Sequence, residues 1–365
     1  MIALVGLTVA GADAPQTGQP LGEPGWSNAA TDVSPAGNVA FHGPFCNDAV
    51  LCSWDRLPPH ELVRVEYDLL ILRTWDGSVQ YVDGRKDPGG PDYFRCSVAG
   101  GPILLSTTFS NLPPNDPGFK DNGKTQNYPS PIPGDLLPPK TGATAVDSMG
   151  YHYPNPGPPA LVPMDATYHI TLLVPHKQAT LAIKLEAFSL QSLLDESWGV
   201  KDVKVTPLTA DQAPPPDAAG IAAAFATALE AAGTDQPAAV NTLVAGTDVT
   251  AAWIAQNVQP HAVDPAAVAQ AITDLGGDDQ HMDAREAANE NLFALGPAVE
   301  PYLRDALAKS HGETAARIEK VLSRLGVTTI DDADLRRLAL ATRVLEVIGT
   351  PAALEARKHL VGVNP

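Results

Sequence analysis

Two hydrophobic periods divide the chain. Up to about residue 206, apolar and polar positions alternate, the period of a half-buried strand. Val63, Val65 and Tyr67 mark one face of a strand that continues through Leu69, Leu70, Ile71 and Leu72 to Trp75, while Arg64 and Glu66 mark the other. Val50-x-Cys52-x-Trp54 repeats the pattern, as do residues 93–98, 103–109, 168–174, 180–188 and 200–205. Turn clusters such as Asp76-Gly77 and Pro113-Pro114-Asn115-Asp116-Pro117-Gly118 stand between them. Short strands punctuated this way predict an all-β sandwich over residues 25–206. From residue 218 the period lengthens to that of a helix. Ile221, Ala224, Phe225, Ala228 and Leu229 form one stripe, and Val268, Ala271, Ile272 and Leu275 a second, behind an Asp264-Pro265 cap. Ile318, Val321, Leu322 and Leu325 form a third; Leu338, Ala341, Leu345 and Ile348 form a fourth, closed by Gly349. Short helices with short connections predict an all-α array over residues 218–365.

Composition sharpens this division. Of 35 prolines, 25 precede residue 211, whereas 36 alanines follow residue 210. Residues 207–217 include three consecutive prolines and read as a semi-rigid linker. The net charge of −18 is shared by both parts, which disfavours nucleic acid and anionic lipid as partners. No apolar run is long enough for a transmembrane helix. Residues 1–14 resemble the end of a secretory signal, with an apolar Ile2–Val9 stretch followed by Ala10 and Ala12. The expected location is therefore secreted, periplasmic or cell-surface. Three cysteines, Cys46, Cys52 and Cys96, fit no metal-finger spacing. Cys52 and Cys96 read as small inward hydrophobes; a disulfide between them would require neighbouring strands.

Several motifs carry a resemblance. LPPHELVRVEYDLLILRTWDG at 57–77, Gly90-Pro91-Asp92-Tyr93-Phe94, GGPILLSTTFSN at 100–111 and DESWGVKDVKV at 195–205 together resemble an uncharacterised secreted bacterial jelly-roll family of concanavalin-like type. DAREAANENLFALGPAVEPYLRDAL at 283–307 and RVLEVIGTPAALEARKHL at 343–360 are similar to HEAT-type repeats of the kind found beside bacterial WD-repeat propellers. The first resemblance implies a jelly roll and brings no activity with it. The second implies a scaffold that binds a protein partner, with Arg285, Glu286 and Arg317 serving as helix caps and i,i+4 pairs.

Asp76, Asp92, Asp195 and Glu196 sit in turns at strand ends. Two readings of them stand. They accept backbone N–H bonds in those turns, or they hold one calcium ion, which takes about six to eight oxygens. Relatives in the resembled family often carry structural calcium, which points to the second reading. Against it, Lys201 stands where the family pattern has an acid. Trp75 and Trp198 alternate into apolar faces and are expected to be buried.

Three functions compete. A non-enzymatic binding and scaffold protein would use loop aromatics to stack on a glycan, the candidates being Trp26, Tyr81, Tyr128, Tyr151 and Tyr153. A carbohydrate-active hydrolase or lyase would need two carboxylates across a groove. Glu66 and Glu186 are the strand glutamates available, and both point away from the apolar face, so no catalytic residue is assigned. A purely structural assembly protein would need neither feature.

Overall fold

The computed structural model describes residues 17–362, apart from 79–80, 83–84, 87–90, 113–124, 155–160, 231–233, 262, 278–281 and 327. Residues 1–14, read above as a signal, lie outside the described residues. A β-sandwich comes first and helices follow. One sheet has the order β10 (Ala145–Val146), β13 (Asp165–Pro175), β5 (Leu62–Arg73), β15 (Glu196–Leu208), β3 (Ala40–Phe45), β2 (Thr31–Val33). The other has the order β1 (Gly25–Trp26), β4 (Ala49–Trp54), β14 (Leu181–Phe188), β8 (Tyr93–Val98), β9 (Ile103–Thr108). Two small ribbons complete it: β6 (Tyr81–Val82) with β7 (Arg85–Lys86), and β11 (His152–Pro154) with β12 (Leu161–Pro163).

Alternation does the sorting. Along β14, Leu181, Ile183, Leu185 and Ala187 are buried, while the residues between them face the other way. Val63, Val65, Tyr67, Leu69 and Ile71 of β5 meet them from the opposite sheet in one continuous core. Trp75 and Trp198 are both fully buried. The Trp198 ring packs edge-on to Phe94, its centroid 5.4 Å away, and its indole N–H donates to the Cys46 carbonyl at 2.8 Å. That geometry satisfies both the apolar body and the polar tip of the ring.

Cys52 and Cys96 do not pair. Strand β14 runs between β4 and β8, so the two cysteines sit two strands apart, about 9–10 Å at the usual interstrand spacing. A disulfide needs Cα atoms within about 7 Å. Both thiols are free and buried, and burial pushes that of Cys96 up to about 12 and that of Cys52 higher still. Thiols of that kind are inert.

The helices are α1 (Ala218–Leu229), α2 (Gln236–Ala245), α3 (Thr247–Asn257), α4 (Pro265–Leu275), α5 (Met282–Ala294), α6 (Glu300–Leu307), α7 (Gly312–Gly326), α8 (Ala333–Ile348) and α9 (Pro351–Val361). Their starts are chemically specified. Asp217, Asp264, Asp332 and Thr350 each accept a backbone N–H in the first turn of α1, α4, α8 and α9. Arg317 pairs with Glu313 one turn away and also donates to the carbonyls of Leu275 and Gly277, closing the C-terminus of α4. Contacts are not confined to sequence neighbours. α9 packs on α3, and α8 lies against α1, α2 and α3. The array therefore folds back on itself around α8, whose buried residues lie on most of its sides.

The two parts share apolar surface. Val244 of α2 and Val347 of α8 belong to the sandwich core, and Ile132 from the loop after β9 belongs to the helical core. Asn241 of α2 docks on the edge of β13 like a strand. Its side-chain oxygen accepts the Leu173 N–H at 2.9 Å and its nitrogen donates to the Thr171 carbonyl at 2.9 Å. Covering an edge in this way removes a site of unwanted strand pairing. Arg336 of α8 pairs with Asp135 of the sandwich at 2.5 Å.

Trp198→Ala is expected to lower unfolding free energy by about 3–5 kcal/mol in denaturant titration, the cost of a large core cavity. Asn241→Ala leaves two strand groups without partners and should cost about 1–3 kcal/mol. An unchanged midpoint for Asn241→Ala would show that α2 does not hold the β13 edge in solution.

Candidate functional site

The turns singled out in the sequence meet at one end of the sandwich. Trp75 leaves β5, and its indole donates to the Ser197 carbonyl at 2.8 Å, tying the Trp75-Asp76-Gly77 turn to the start of β15. The Thr74 N–H donates to the Asp195 carbonyl at 2.9 Å, and the Asn111 side chain donates to the carbonyls of Ile71 and Arg73. Gly77 has a φ of 77°, and a Cβ there would sit 2.1 Å from the Thr125 carbonyl oxygen, so only glycine fits. The Asp92 N–H donates to the Gly77 carbonyl at 2.9 Å, which brings Pro91-Asp92 alongside.

The result is a buried acid triad. Asp76, Asp92 and Glu196 each direct a carboxylate oxygen to one point, and these atoms all lie within 4.8 Å of one another. Asp92 and Glu196 are fully buried and Asp76 nearly so. One Asp92 oxygen accepts the Asp76 N–H; the other is buried without a hydrogen-bond partner. Burial, and then the charges of Glu196 and Asp76, push the Asp92 carboxyl well above the usual carboxylate range. Three carboxylates that share an apolar site cannot all ionise alone. Either a proton or a cation must join them.

The three carboxylates have the donor type and the spacing of part of a calcium ion's oxygen shell. Calcium binds oxygens at about 2.3–2.6 Å, so two ligands on opposite sides of it lie about 5 Å apart. The triad is no wider than that, its donors are hard oxygens, and Asp92 supplies an orphaned oxygen. Asp195 stands outside it. Its carboxylate accepts the Thr74 hydroxyl, and the Gln191 amide, oriented with its nitrogen toward the acids, reaches Asp195 at 2.8 Å and Glu196 at 3.0 Å. Asp195 therefore shapes the turn while its neighbour Glu196 enters the site. Lys201 does not oppose the triad either. It lies opposite Asp68 on the outer face of its sheet, with its ammonium 2.6 Å from Asp68 and 2.7 Å from Asp202.

The candidate glycan aromatics do not gather on one surface. Tyr128 is buried against Phe109 and Tyr168. Tyr151 is buried in a satellite cluster with Phe41, Leu70, Leu72 and Met149, under the Arg73 guanidinium. Trp26 belongs to strand β1 and stacks on His42 at 3.9 Å. Tyr153 is 37% exposed on β11, and the Tyr81 side chain lies outside the described residues. Glu66 and Glu186 face outward from opposite sheets, so they do not flank one groove. Glu66 pairs with Arg64 at 3.0 Å, and Glu186 pairs with Lys184 at 2.6 Å and Arg95 at 3.5 Å.

Sequence reasoning missed a cluster of arginines, Arg95, Arg304 and Arg343, where the helices overhang the sandwich. Their separation along the chain leaves no motif to find.

Comparison with protein-family models and with curated proteins finds no match. Among solved structures, the C-terminal CBM6 of LamC, a marine laminarinase from Zobellia galactanivorans, is similar at 12% identity. The alignment covers 52% of this chain and 99% of that one, with a TM-score of 0.22. A likeness at that score says nothing about this chain's ligands.

The triad makes stability depend on pH with a definite sign. The folded state holds the Asp92 proton more tightly than the unfolded chain does. Without a cation, its contribution is complete below about pH 4 and fades as pH rises through the raised folded value. A cation bound by the triad would take the proton's place. The gain in melting temperature on adding calcium should therefore be larger at pH 7.5 than at pH 5. Equal gains at both values would show that Asp92 does not take part.

Proposed function

We propose that this chain is a non-enzymatic binding and scaffold protein of the secreted or cell-envelope space. One calcium ion, held by Asp76, Asp92 and Glu196, clamps the strand ends of its sandwich, and the docked helices offer a surface to a protein partner. The observation that carries this reading is the buried triad with its unpartnered Asp92 oxygen. Extracellular modules meet calcium at concentrations that suit sites of about 10⁻⁴–10⁻³ M affinity. The buried, inert thiols are compatible with an oxidising space. The ion's place in the reading is structural: it would fix the turns from which the neighbouring loops spring. A glycan is the ligand proposed for the sandwich. Tyr153 is exposed and Trp26 partly so, whereas Tyr128 and Tyr151 serve the core.

Thermal melting of the full chain in EDTA and in millimolar calcium, at equal ionic strength, tests the clamp. A cation that binds only the folded state adds about 2.7 kcal/mol at a hundredfold excess over its Kd. Asp92→Asn should abolish the calcium response and, in EDTA, be at least as stable as the parent, because a neutral amide needs no proton to sit beside the other two acids. Identical melting in both buffers would remove the clamp from the reading. Glycan-array binding by the calcium-loaded chain, weakened by Trp26→Ala, is the outcome expected of the sandwich.

A further inference from the structure

The helices do not lie flush on the sandwich. Between the outer face of β14, β8 and β9 and helices α6 to α9 there is a cavity of about 950 Å³. Its lining runs against the charge of the whole molecule. The chain carries −18, yet six basic side chains and four acidic ones line this space. Three of the basic groups face it from both walls. Arg95 stands on β8, Arg304 on α6 and Arg343 on α8.

Among the described residues, no contact ion pair of these three arginines crosses the gap, although the charge of Glu319 on α7 reaches Arg95. Arg95 pairs with Glu186 of the adjacent strand at 3.5 Å; Arg304 takes one oxygen of Glu300, one helical turn away, at 2.5 and 2.9 Å. Among the described residues, the ion pair of Arg343 is with Glu346 at 3.8 Å, too long for a hydrogen bond, and Glu300 acts on it from further off. Two guanidinium nitrogens are buried without any hydrogen-bond partner: Nε of Arg95 and Nη1 of Arg343. Burial lowers the pKa of both guanidiniums and the charge of Arg304 adds to it, while Glu186 and Glu319 oppose the shift at Arg95 and Glu346 and Glu300 oppose it at Arg343. A buried donor left without an acceptor is costly, and more so when it is charged. Like charges that face one another across a cavity add to that cost.

We propose that this inter-module cavity binds a small ligand through an oxyanion, received between Arg95 and Arg343 with Arg304 beside them. Guanidinium groups match carboxylate, sulfate and phosphate oxygens in a two-pronged geometry. The volume exceeds what one ion needs and lies within the range of sites that enclose a whole small molecule. Ser106, Thr107 and Asn127 on the sandwich wall line the same space with hydroxyl and amide groups. The floor is apolar: Tyr93 and Phe188 stack at 5.1 Å, and the Arg95 guanidinium covers Phe188 at 4.7 Å. The oxyanion is the chemistry shared by two sources, a carboxylate on an acidic sugar and a free inorganic anion. The proposal rests on the cavity and is independent of the calcium clamp.

Isothermal titration of the full chain with sodium galacturonate, and separately with sodium sulfate, at fixed ionic strength set by chloride, tests it. At least one anion is expected to bind, and Arg343→Gln and Arg95→Gln, one variant on each wall, should each weaken it about tenfold or more. Galacturonate binding more tightly than sulfate assigns the site to an acidic sugar; the reverse assigns it to the inorganic anion. A second readout covers a variant that folds poorly. The same anion should raise the melting temperature of the parent and should not raise that of either variant. Asp92→Asn should bind the anion as the parent does, which separates this site from the clamp. The proposal is overturned if neither anion binds the parent, or if both variants bind as tightly as the parent.

Discussion

Three carboxylates buried side by side set the terms for the rest of the sandwich. Asp76 lies in the turn after β5, Asp92 precedes β8, and Glu196 opens β15. Each belongs to a turn that is separately anchored by backbone hydrogen bonds, so the acids cannot move apart without undoing those turns. The indole of Trp75 is tied to Ser197 through the same junction, and Trp198 enters the core immediately afterwards. Apolar burial on one side thus forces charge together on the other. A hydrophobic core gains from bringing these strand ends close, and the electrostatic cost of doing so must be met by a proton or a cation.

A related tension exists where the helices meet the sandwich. Val244, Val347 and Ile132 interlock the two cores, and Asn241 covers the β13 edge. This apolar and edge-covering contact fixes how the helices sit. The arginines of both walls are then held at the margin of that contact, facing a space that their own glutamates only partly neutralise. In both places packing fixes the position of charges that would separate if free, and in both the unmet group is a buried, unpartnered atom.

Physical chemistry explains which sequence readings reached the structure. Period-two alternation found β5, β8, β9, β13 and β14, because burial on one face writes itself directly into residue type. It missed β3, where Gly43-Pro44 looks like a turn. There Gly43 has a φ of 131°, and a Cβ would lie 2.9 Å from the Trp198 carbonyl oxygen, so the strand passes through a conformation that its neighbour imposes. The start of β15 also lies earlier than the alternation suggests, at Glu196, because its acidic and aromatic opening residues are buried by the turn beside them. His60 stands in the loop between β4 and β5 and is buried there against His176, 2.8 Å away, a meeting that no local pattern encodes.

By itself the sequence determined the change from strands to helices near residue 210, the inward set of each long strand, the cap of α4, and the acids worth watching. These are local properties, carried by period and by the short reach of a capping side chain. Only the tertiary structure decided which acids converge. It joined Asp76, Asp92 and Glu196 and turned Asp195 toward Thr74, although Asp195 and Glu196 are adjacent, because successive residues at a strand start point in different directions. It sent Tyr128 and Tyr151 into the core and brought Arg95 to Arg304 and Arg343 across more than two hundred residues of chain. Such meetings depend on strand order and on the docking of one core against another, and no local pattern encodes either.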